Sequence, residues 1–168
     1  MLDKVIAGLI TITVVLILWN VLNGGFIISF NTQGGEPAVA DQKVKHSQLV
    51  AEPEPPVKPG YDLIGWGIDP NSQTTWDFSA STVSGDMTLY ALWTPSRITV
   101  KFDLNGGTVN GSPEAEAITV TYGGTYGELP VPQKAGQTFA GWLYSGTVIT
   151  ADTTVTMTGE HMLTAQWK

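Results

Sequence analysis

Two stretches of the chain carry the same motifs in the same order, and this internal repeat constrains the fold more than any other feature. Each stretch opens with an apolar strand pattern ending in Gly-Gly, continues to a Gly-Trp pair and closes with an apolar segment ending in Trp. The repeated landmarks are Gly34-Gly35 and Gly106-Gly107, Gly65-Trp66 and Gly141-Trp142, and Trp93 and Trp167. A module used in tandem favours display, spacing or assembly over a single reaction centre.

The repeat divides the 168 residues into two small modules behind an N-terminal segment. We expect a hydrophobic segment at 1–25, a first module at 26–94 and a second module at 95–168. A module of this size buries only about 60% of the surface that its unfolded chain exposes, so large side chains must anchor each core. The six Trp residues are suited to that task.

The N-terminal segment is predicted to form a hydrophobic helix. Residues 5–22 carry no charge, and a helix of that length extends about 27 Å, which is enough to cross the hydrocarbon of a bilayer. A cleaved signal and a buried core helix are the alternatives, but the apolar run exceeds a signal core and the strand-rich remainder would not enclose it. Lys4 precedes the run and Lys43 is the next basic residue, so the repeats are predicted to lie outside the cytoplasm.

The first predicted strand follows this segment almost directly. Asn23-Gly24-Gly25 is typical of a helix end, and Phe26 opens the strand. An uncharged N-terminal helix rich in β-branched residues that adjoins a β-rich head resembles type IV pilin-like subunits, especially archaeal ones. The resemblance covers about 25 residues and implies that helices from many copies pack in the core of a filament.

Strand patterns fill both modules, because apolar residues alternate over short stretches bounded by Gly, Pro, Asn and Asp. The predicted strands are 26–31, 42–50, 87–93, 97–104, 118–122, 155–157 and 162–167. Proline clusters at 53–59 and 130–132 lack backbone N–H groups and mark the connectors that lead to each Gly-Trp pair.

The order of motifs resembles the Listeria/Bacteroides repeat, or internalin B-repeat, found in tandem on surface proteins of bacteria and some archaea. The residues that carry the resemblance are Phe30, Gly34, Gly35, Pro59, Gly60, Tyr61, Gly65, Trp66, Ala91 and Trp93 in the first copy, and Phe102, Gly106, Gly107, Gly136, Phe139, Gly141, Trp142, Ala165 and Trp167 in the second. The second copy departs from the pattern at Gln137 and Thr164. The resemblance implies a ubiquitin-like β-grasp fold with a short helix or helical turn, for which 77–83 is the candidate position in the first copy. The predicted fold class is therefore α+β, mostly β, with an N-terminal hydrophobic helix and two β-grasp modules.

The sequence predicts no catalytic, metal-binding or cofactor-binding residue. The chain has no Cys, which excludes disulfides, thiolate metal sites and a Cys nucleophile. His46 and His161 lie in different modules and lack a metal-ligand spacing. The remaining motifs that partly match an acid dyad, a calcium loop or a phosphate loop are incomplete: Glu52 with Glu54, Glu114 with Glu116, Asp103 with Asn105, and 123–127.

Trp76 is the residue best placed by the sequence to contact a partner. Trp66, Trp93, Trp142 and Trp167 end or adjoin strand patterns and are expected in the cores. Trp76 lies instead in the polar 71–77 loop and has no counterpart in the second copy, so a packed and an exposed role both remain open.

The sequence predicts a non-enzymatic extracellular structural protein. A net charge of −7 disfavours nucleic acid as a partner. The first interpretation is a pilin-like filament subunit, whose partners are copies of itself through the N-terminal helix, with the membrane before or instead of assembly. The alternative is a membrane-anchored cell-surface adhesion or binding protein that contacts a host protein or glycan through Trp76 and neighbouring loops. An enzyme subunit is the third class and has no supporting motif.

Overall fold

The computed structural model describes residues 24–168, which form two β-sheets. The strands are β1 Phe26–Asn31, β2 Gln42–Val44, β3 Tyr61–Gly67, β4 Met87–Pro95, β5 Arg97–Asp103, β6 Ile118–Thr121, β7 Phe139–Tyr144, β8 Thr147–Ile149 and β9 His161–Trp167. The chain forms two compact units, 24–58 with Leu63–Trp93, and Pro59–Asp62 with Thr94–Lys168. All but the last two residues of the predicted 1–25 helix lie outside the described residues. Within residues 24–168, no helix is long and apolar enough to cross a bilayer.

The first module is built on a four-stranded sheet in the order β2-β1-β4-β3. Strand β1 pairs antiparallel with β2 and parallel with β4. Alternation in β1 points Phe26, Ile28 and Phe30 to the core and leaves Ile27 exposed. One face of this sheet therefore carries the core of the first module.

The second module repeats this arrangement with one more strand, in the order β6-β5-β9-β7-β8. Strand β5 pairs antiparallel with β6 and parallel with β9, and β7 lies antiparallel between β9 and β8. The turn between β7 and β8 is Ser145-Gly146, and both residues have positive φ, 46° and 82°. This is the two-residue turn whose twist matches a β-hairpin.

The predicted α+β, β-grasp fold class is wrong, because the described chain from Phe26 to Lys168 contains strands and turns but no helix. Parallel pairing of the first and last strands requires a crossover, which a helix often provides. Here the crossovers contain the proline clusters at 53–59 and 130–132, and proline inside a helix removes a hydrogen bond and clashes with the preceding turn. The crossovers are therefore extended segments with turns.

The candidate helix position at 77–83 contains a single turn. The Ser81 N–H donates to the Asp77 carbonyl over 2.8 Å, and the Asp77 carboxylate accepts hydrogen bonds from the Ser79 hydroxyl and N–H. These bonds lower the pKa of the Asp77 carboxyl. The turn ends at once because Thr82 forms a β-bridge with Leu49.

Strands β3 and β7 were not predicted from the sequence, because a glycine interrupts the alternation of apolar and polar residues in each. The pairing of β7 with β9 shifts register between Phe139 and Gly141, and Gly141 has φ 135° while its counterpart Gly65 has φ 151°. Glycine inside a strand often marks such an irregularity. The predicted strand at 42–50 is also shorter in the structure, ending at Val44, and no strand forms at 155–157.

A buried tryptophan occupies the core of each module. Trp66 and Trp142 are each 2% exposed. Phe30 packs edge-on against Trp66 with ring centroids 5.1 Å apart, and Phe102 packs against Trp142 at 4.8 Å. The prediction that these two indoles anchor the cores is confirmed.

Candidate binding grooves

A turn with a tryptophan packed on it closes the second module, and we call this arrangement the indole lock. The turn after β5 needs positive φ at Asn105 and Gly106, 47° and 78°. Trp167 at the end of β9 donates its indole N–H to the Leu104 carbonyl over 3.2 Å. Its ring lies so close to the backbone that a Cβ on Gly107 would be 2.4 Å from Cζ2. Only glycine fits beneath the ring without displacement.

A lysine completes the lock from the connector before β7. The Lys134 ammonium donates to the Asn105 carbonyl over 2.8 Å and lies 5.6 Å from the centroid of the Trp167 ring. This geometry combines a charge-assisted hydrogen bond with a cation–π contact. Lys134 therefore holds the turn and the indole together.

The first module contains the same lock. Trp93 donates to the Thr32 carbonyl over 2.9 Å, and Lys58 donates to the Gln33 carbonyl over 3.0 Å while lying 5.9 Å from the Trp93 ring. A Cβ on Gly35 would be 2.6 Å from the Trp93 ring. The repeated motif residues thus build a structural element of each module.

The second module also buries a histidine between two tyrosines. His161 is 7% exposed, and its Nδ1 lies 3.0 Å from the Gly159 carbonyl, so this nitrogen carries the proton that it donates. Nε2 then accepts the Tyr126 hydroxyl proton over 2.8 Å. The Tyr144 ring also packs against the imidazole, with ring centroids 5.0 Å apart. His161 is therefore part of the packed interior of this module.

Substitution of Tyr126 by Phe is expected to destabilise the second module by about 1–3 kcal/mol, because the buried Nε2 of His161 loses its hydrogen-bond donor. Burial, with a contribution from Tyr144, raises the pKa of the Tyr126 hydroxyl. The fold thus favours the neutral phenol. The resulting contribution to the stability of the module is lost as the pH rises above the ordinary tyrosine pKa of about 10 and through the raised pKa of the folded state. Hydrogen exchange of β9 amides should show this alkaline loss in the wild type. An equal alkaline loss in Tyr126→Phe would contradict the assignment.

A groove opens beside this aromatic cluster. The module 2 groove has a volume of about 500 Å³ and is lined chiefly by Tyr126, Tyr144, Thr147, Thr153, Thr154 and Thr156. No charged side chain is among the described residues that line it. It offers an apolar aromatic wall and several hydroxyl groups, which can donate and accept hydrogen bonds.

An equivalent groove of about 380 Å³ occurs in the first module. The module 1 groove is lined by Ile68, Trp76, Thr82, Ser84 and Met87, with Gly85 and Asp86. Thr82 bridges to Leu49 as Thr154 bridges to Thr125, so the two grooves occupy the same place in their modules. Their aromatic residues come from different positions in the two copies.

Trp76 is half-buried and packs against the core of the first module while lining the module 1 groove. Its backbone N–H donates to the Trp66 carbonyl. The indole N–H is buried and has no hydrogen-bond partner among the described residues. Trp76 thus combines a packing role with a position at a groove.

We expect Trp76→Ala to destabilise the first module by about 1–3 kcal/mol, because a half-buried indole is lost from the core. Trp76→Phe should be neutral or slightly stabilising, since it keeps an aromatic ring and removes a buried donor that has no partner. Hydrogen exchange of β4 amides measures both effects in the full chain. Unchanged protection in Trp76→Ala would assign the ring to the surface alone.

Of the remaining candidate residues, Glu52 and Glu54 line one groove of the first module, and Glu114 and Glu116 line one groove of the second. His46 is half-buried beside Phe26, and its Nδ1 lies 2.7 Å from the Ser47 hydroxyl. Asp103 accepts the Asn105 N–H over 2.9 Å and so stabilises the turn of the indole lock. Residues 24–168 contain no group of three or more His, Asp or Glu side chains with a geometry suited to a metal ion.

Known proteins contain similar repeats. A predicted membrane protein of Evansella cellulosilytica is 40% identical over 117 residues, covering 70% of this chain and 17% of the relative. A predicted Gly-rich membrane protein of the same organism is 35% identical over 146 residues, covering 85% and 16%. Internalin H of Listeria monocytogenes is 32% identical over 122 residues, covering 72% and 20%. The chain thus spans a fifth or less of these curated relatives, two of which are named as membrane proteins.

The Listeria-Bacteroides repeat domain model matches residues 26–92 and again 99–166. This finding confirms the family predicted from the motifs. The pilin resemblance has no such support, because it depends on the 1–25 segment, almost all of which lies outside the described residues. Since the two matches cover most of the sequence, the chain belongs to the Listeria-Bacteroides repeat family and carries two copies of the domain in tandem.

Proposed function

We propose that the chain is the display region of a membrane-anchored cell-surface protein, whose two modules bind a molecule outside the cell. The observation that carries this proposal is that the two modules share the same scaffold but differ in the residues that line their grooves. Both modules keep the lysine, the glycine turn and the closing tryptophan of the indole lock. The groove linings differ, with Trp76 in one copy and Tyr144 in the other.

The variation is concentrated where binding residues usually lie, on loops held by a rigid framework. In the second module β7 continues through Ser145-Gly146 into β8. The first module has a longer loop here, in which Asp69 accepts hydrogen bonds from Asn71 and Ser72. The lining of a groove beside this loop, and with it the ligand that the groove accepts, can therefore differ between modules while the core and the indole lock stay the same.

The composition narrows the class of partner. With a net charge of −7, long-range electrostatics oppose approach to nucleic acid and to anionic lipid surfaces. Lys58 and Lys134, which lie near the turns, are already bonded to backbone carbonyls. An external protein or a glycan is the partner consistent with these charges, and the uncharged 5–22 run would provide the membrane anchor.

Labelling of intact cells tests this proposal. Antibodies raised against the two modules should label the native cell surface. Untreated, the chain should fractionate with the membrane. Protease added outside intact cells should remove both modules. Protection from external protease would contradict surface display. Filaments that contain this chain with its N-terminal segment intact, seen by electron microscopy of sheared material, would replace membrane anchoring by a pilin-like assembly.

A further inference from the structure

We propose that the module 2 groove binds an uncharged carbohydrate chain, which deepens the proposed surface-binding function and rests on it. Aromatic rings and threonine hydroxyl groups both line the groove, which has the volume of a small-ligand site. A sugar ring presents apolar C–H faces and equatorial hydroxyl groups. The rings and the hydroxyl groups match these two kinds of surface.

The aromatic wall is held in place before any ligand arrives. Tyr126 is 4% exposed, and its hydroxyl is bonded to His161. The imidazole also packs against the Tyr144 ring, with ring centroids 5.0 Å apart and an interplanar angle of 63°. Tyr144 is half-buried and lines the groove, so part of its surface remains available. A fixed ring contributes contact area with little loss of side-chain freedom.

The groove also offers threonine hydroxyl groups that the fold does not use. Thr147, Thr154 and Thr156 are exposed. Their hydroxyls make no hydrogen bond to any other described residue. The Thr153 hydroxyl differs, because it is bonded to the Thr150 N–H and hydroxyl within a turn. Three threonine hydroxyls are therefore free to exchange water for the hydroxyls of a sugar.

Charge distinguishes the class of carbohydrate. The described lining of the module 2 groove has no lysine, arginine or histidine to pair with a sulfate or carboxylate, and the chain as a whole is acidic. An anionic polysaccharide would lose hydration without gaining a counter-charge. A neutral hexose polymer avoids this loss.

The first module provides an independent observation. Its groove lies at the equivalent place and again combines an aromatic ring with hydroxyl groups, Trp76 with Thr82 and Ser84. The ring comes from a loop that the second module lacks, yet it reaches the same groove. The same combination therefore recurs in two copies with different loops, which favours a ligand site over an accident of one loop.

Titration with maltohexaose, cellohexaose and chitohexaose, followed in 1H–15N correlation NMR spectra, tests the proposal on the full chain, held in a detergent without a sugar headgroup. At least one of these neutral hexamers should bind and shift amide signals at 144–156, and a heparin hexasaccharide should not. Tyr144→Leu and Thr156→Val should each weaken binding at least about threefold. Thr119→Val removes an exposed threonine hydroxyl on β6, away from the groove, and should leave binding unchanged. Hydrogen exchange confirms that each variant stays folded.

Three results would overturn the proposal: no neutral hexamer shifts the groove signals, the heparin fragment binds in their place, or Thr156→Val binds as tightly as the wild type. Any of these results would refute only the carbohydrate site, and the proposed surface display would stand if the antibodies label intact cells. Protection of the modules from external protease would instead refute the proposed function whatever the saccharides do.

Discussion

Replacing Trp142 by Ala is expected to destabilise the second module by about 3–5 kcal/mol, the typical cost of removing a buried indole. Trp142 is 2% exposed and contacts Phe102 and Phe139 at ring distances of 4.8 and 5.5 Å. Its indole N–H also bonds the Pro130 carbonyl over 2.9 Å. Small domains have total stabilities of only about 5–15 kcal/mol, so this single change brings the module close to unfolding.

The matched variant Trp142→Phe separates packing from the hydrogen bond. It keeps an aromatic ring beside Phe102 but leaves the Pro130 carbonyl without its donor, so we expect a smaller loss of about 1–3 kcal/mol. Hydrogen exchange of β5 and β9 amides reports the second module separately from the first. Equal losses in the Ala and Phe variants would show that the hydrogen bond, rather than ring packing, stabilises the core.

The sequence alone revealed the modules because their landmarks depend on local chemistry. The turn at Gly106-Gly107 could be predicted since glycine tolerates positive φ, and the structure gives φ 78° at Gly106. Core burial of Trp142 followed from its size, because a small module has few other side chains that could anchor a core. These features need no knowledge of distant parts of the chain.

The absence of a helix from residues 26–168 shows where the family resemblance gave a wrong prediction. Residues 77–83 contain a turn that begins like a helix, with a hydrogen bond from Ser81 to Asp77. Tertiary pairing of Thr82 with Leu49 ends it. A bridge between residues so far apart in sequence cannot be seen in local propensity, which is a weak prior that tertiary context overrides.

The grooves and the indole locks could not be predicted either, because each depends on contacts between residues that are far apart in the sequence. Lys134 and Trp167 are far apart in sequence, and only the fold brings the ammonium 5.6 Å from the ring. The hydroxyl groups of the module 2 groove come from β8 and from the segment before β9. Trp76 was identified from its unusual loop, but its contact with the core required the structure.

Gly107→Ala is expected to destabilise the second module by about 2–4 kcal/mol, from overpacking and a weakened hydrogen bond. The added methyl would lie 2.4 Å from Cζ2 of Trp167 and 3.1 Å from the Gln133 carbonyl oxygen, so the indole must move. That movement lengthens its bond to the Leu104 carbonyl, now 3.2 Å. Gly159→Ala is the matched control, because its added methyl would meet nothing within 4 Å.

A double-mutant cycle identifies the clash as the cause of the Gly107 effect. If the methyl and the indole compete for the same space, Gly107→Ala should cost much less in a Trp167→Leu background, with a coupling of about 1–3 kcal/mol. Hydrogen exchange of β5 amides measures each corner of the cycle. Additive losses would instead assign the glycine requirement to the backbone. A strong coupling would explain why Gly-Gly and the closing Trp occur together in both copies, since each lock needs both parts.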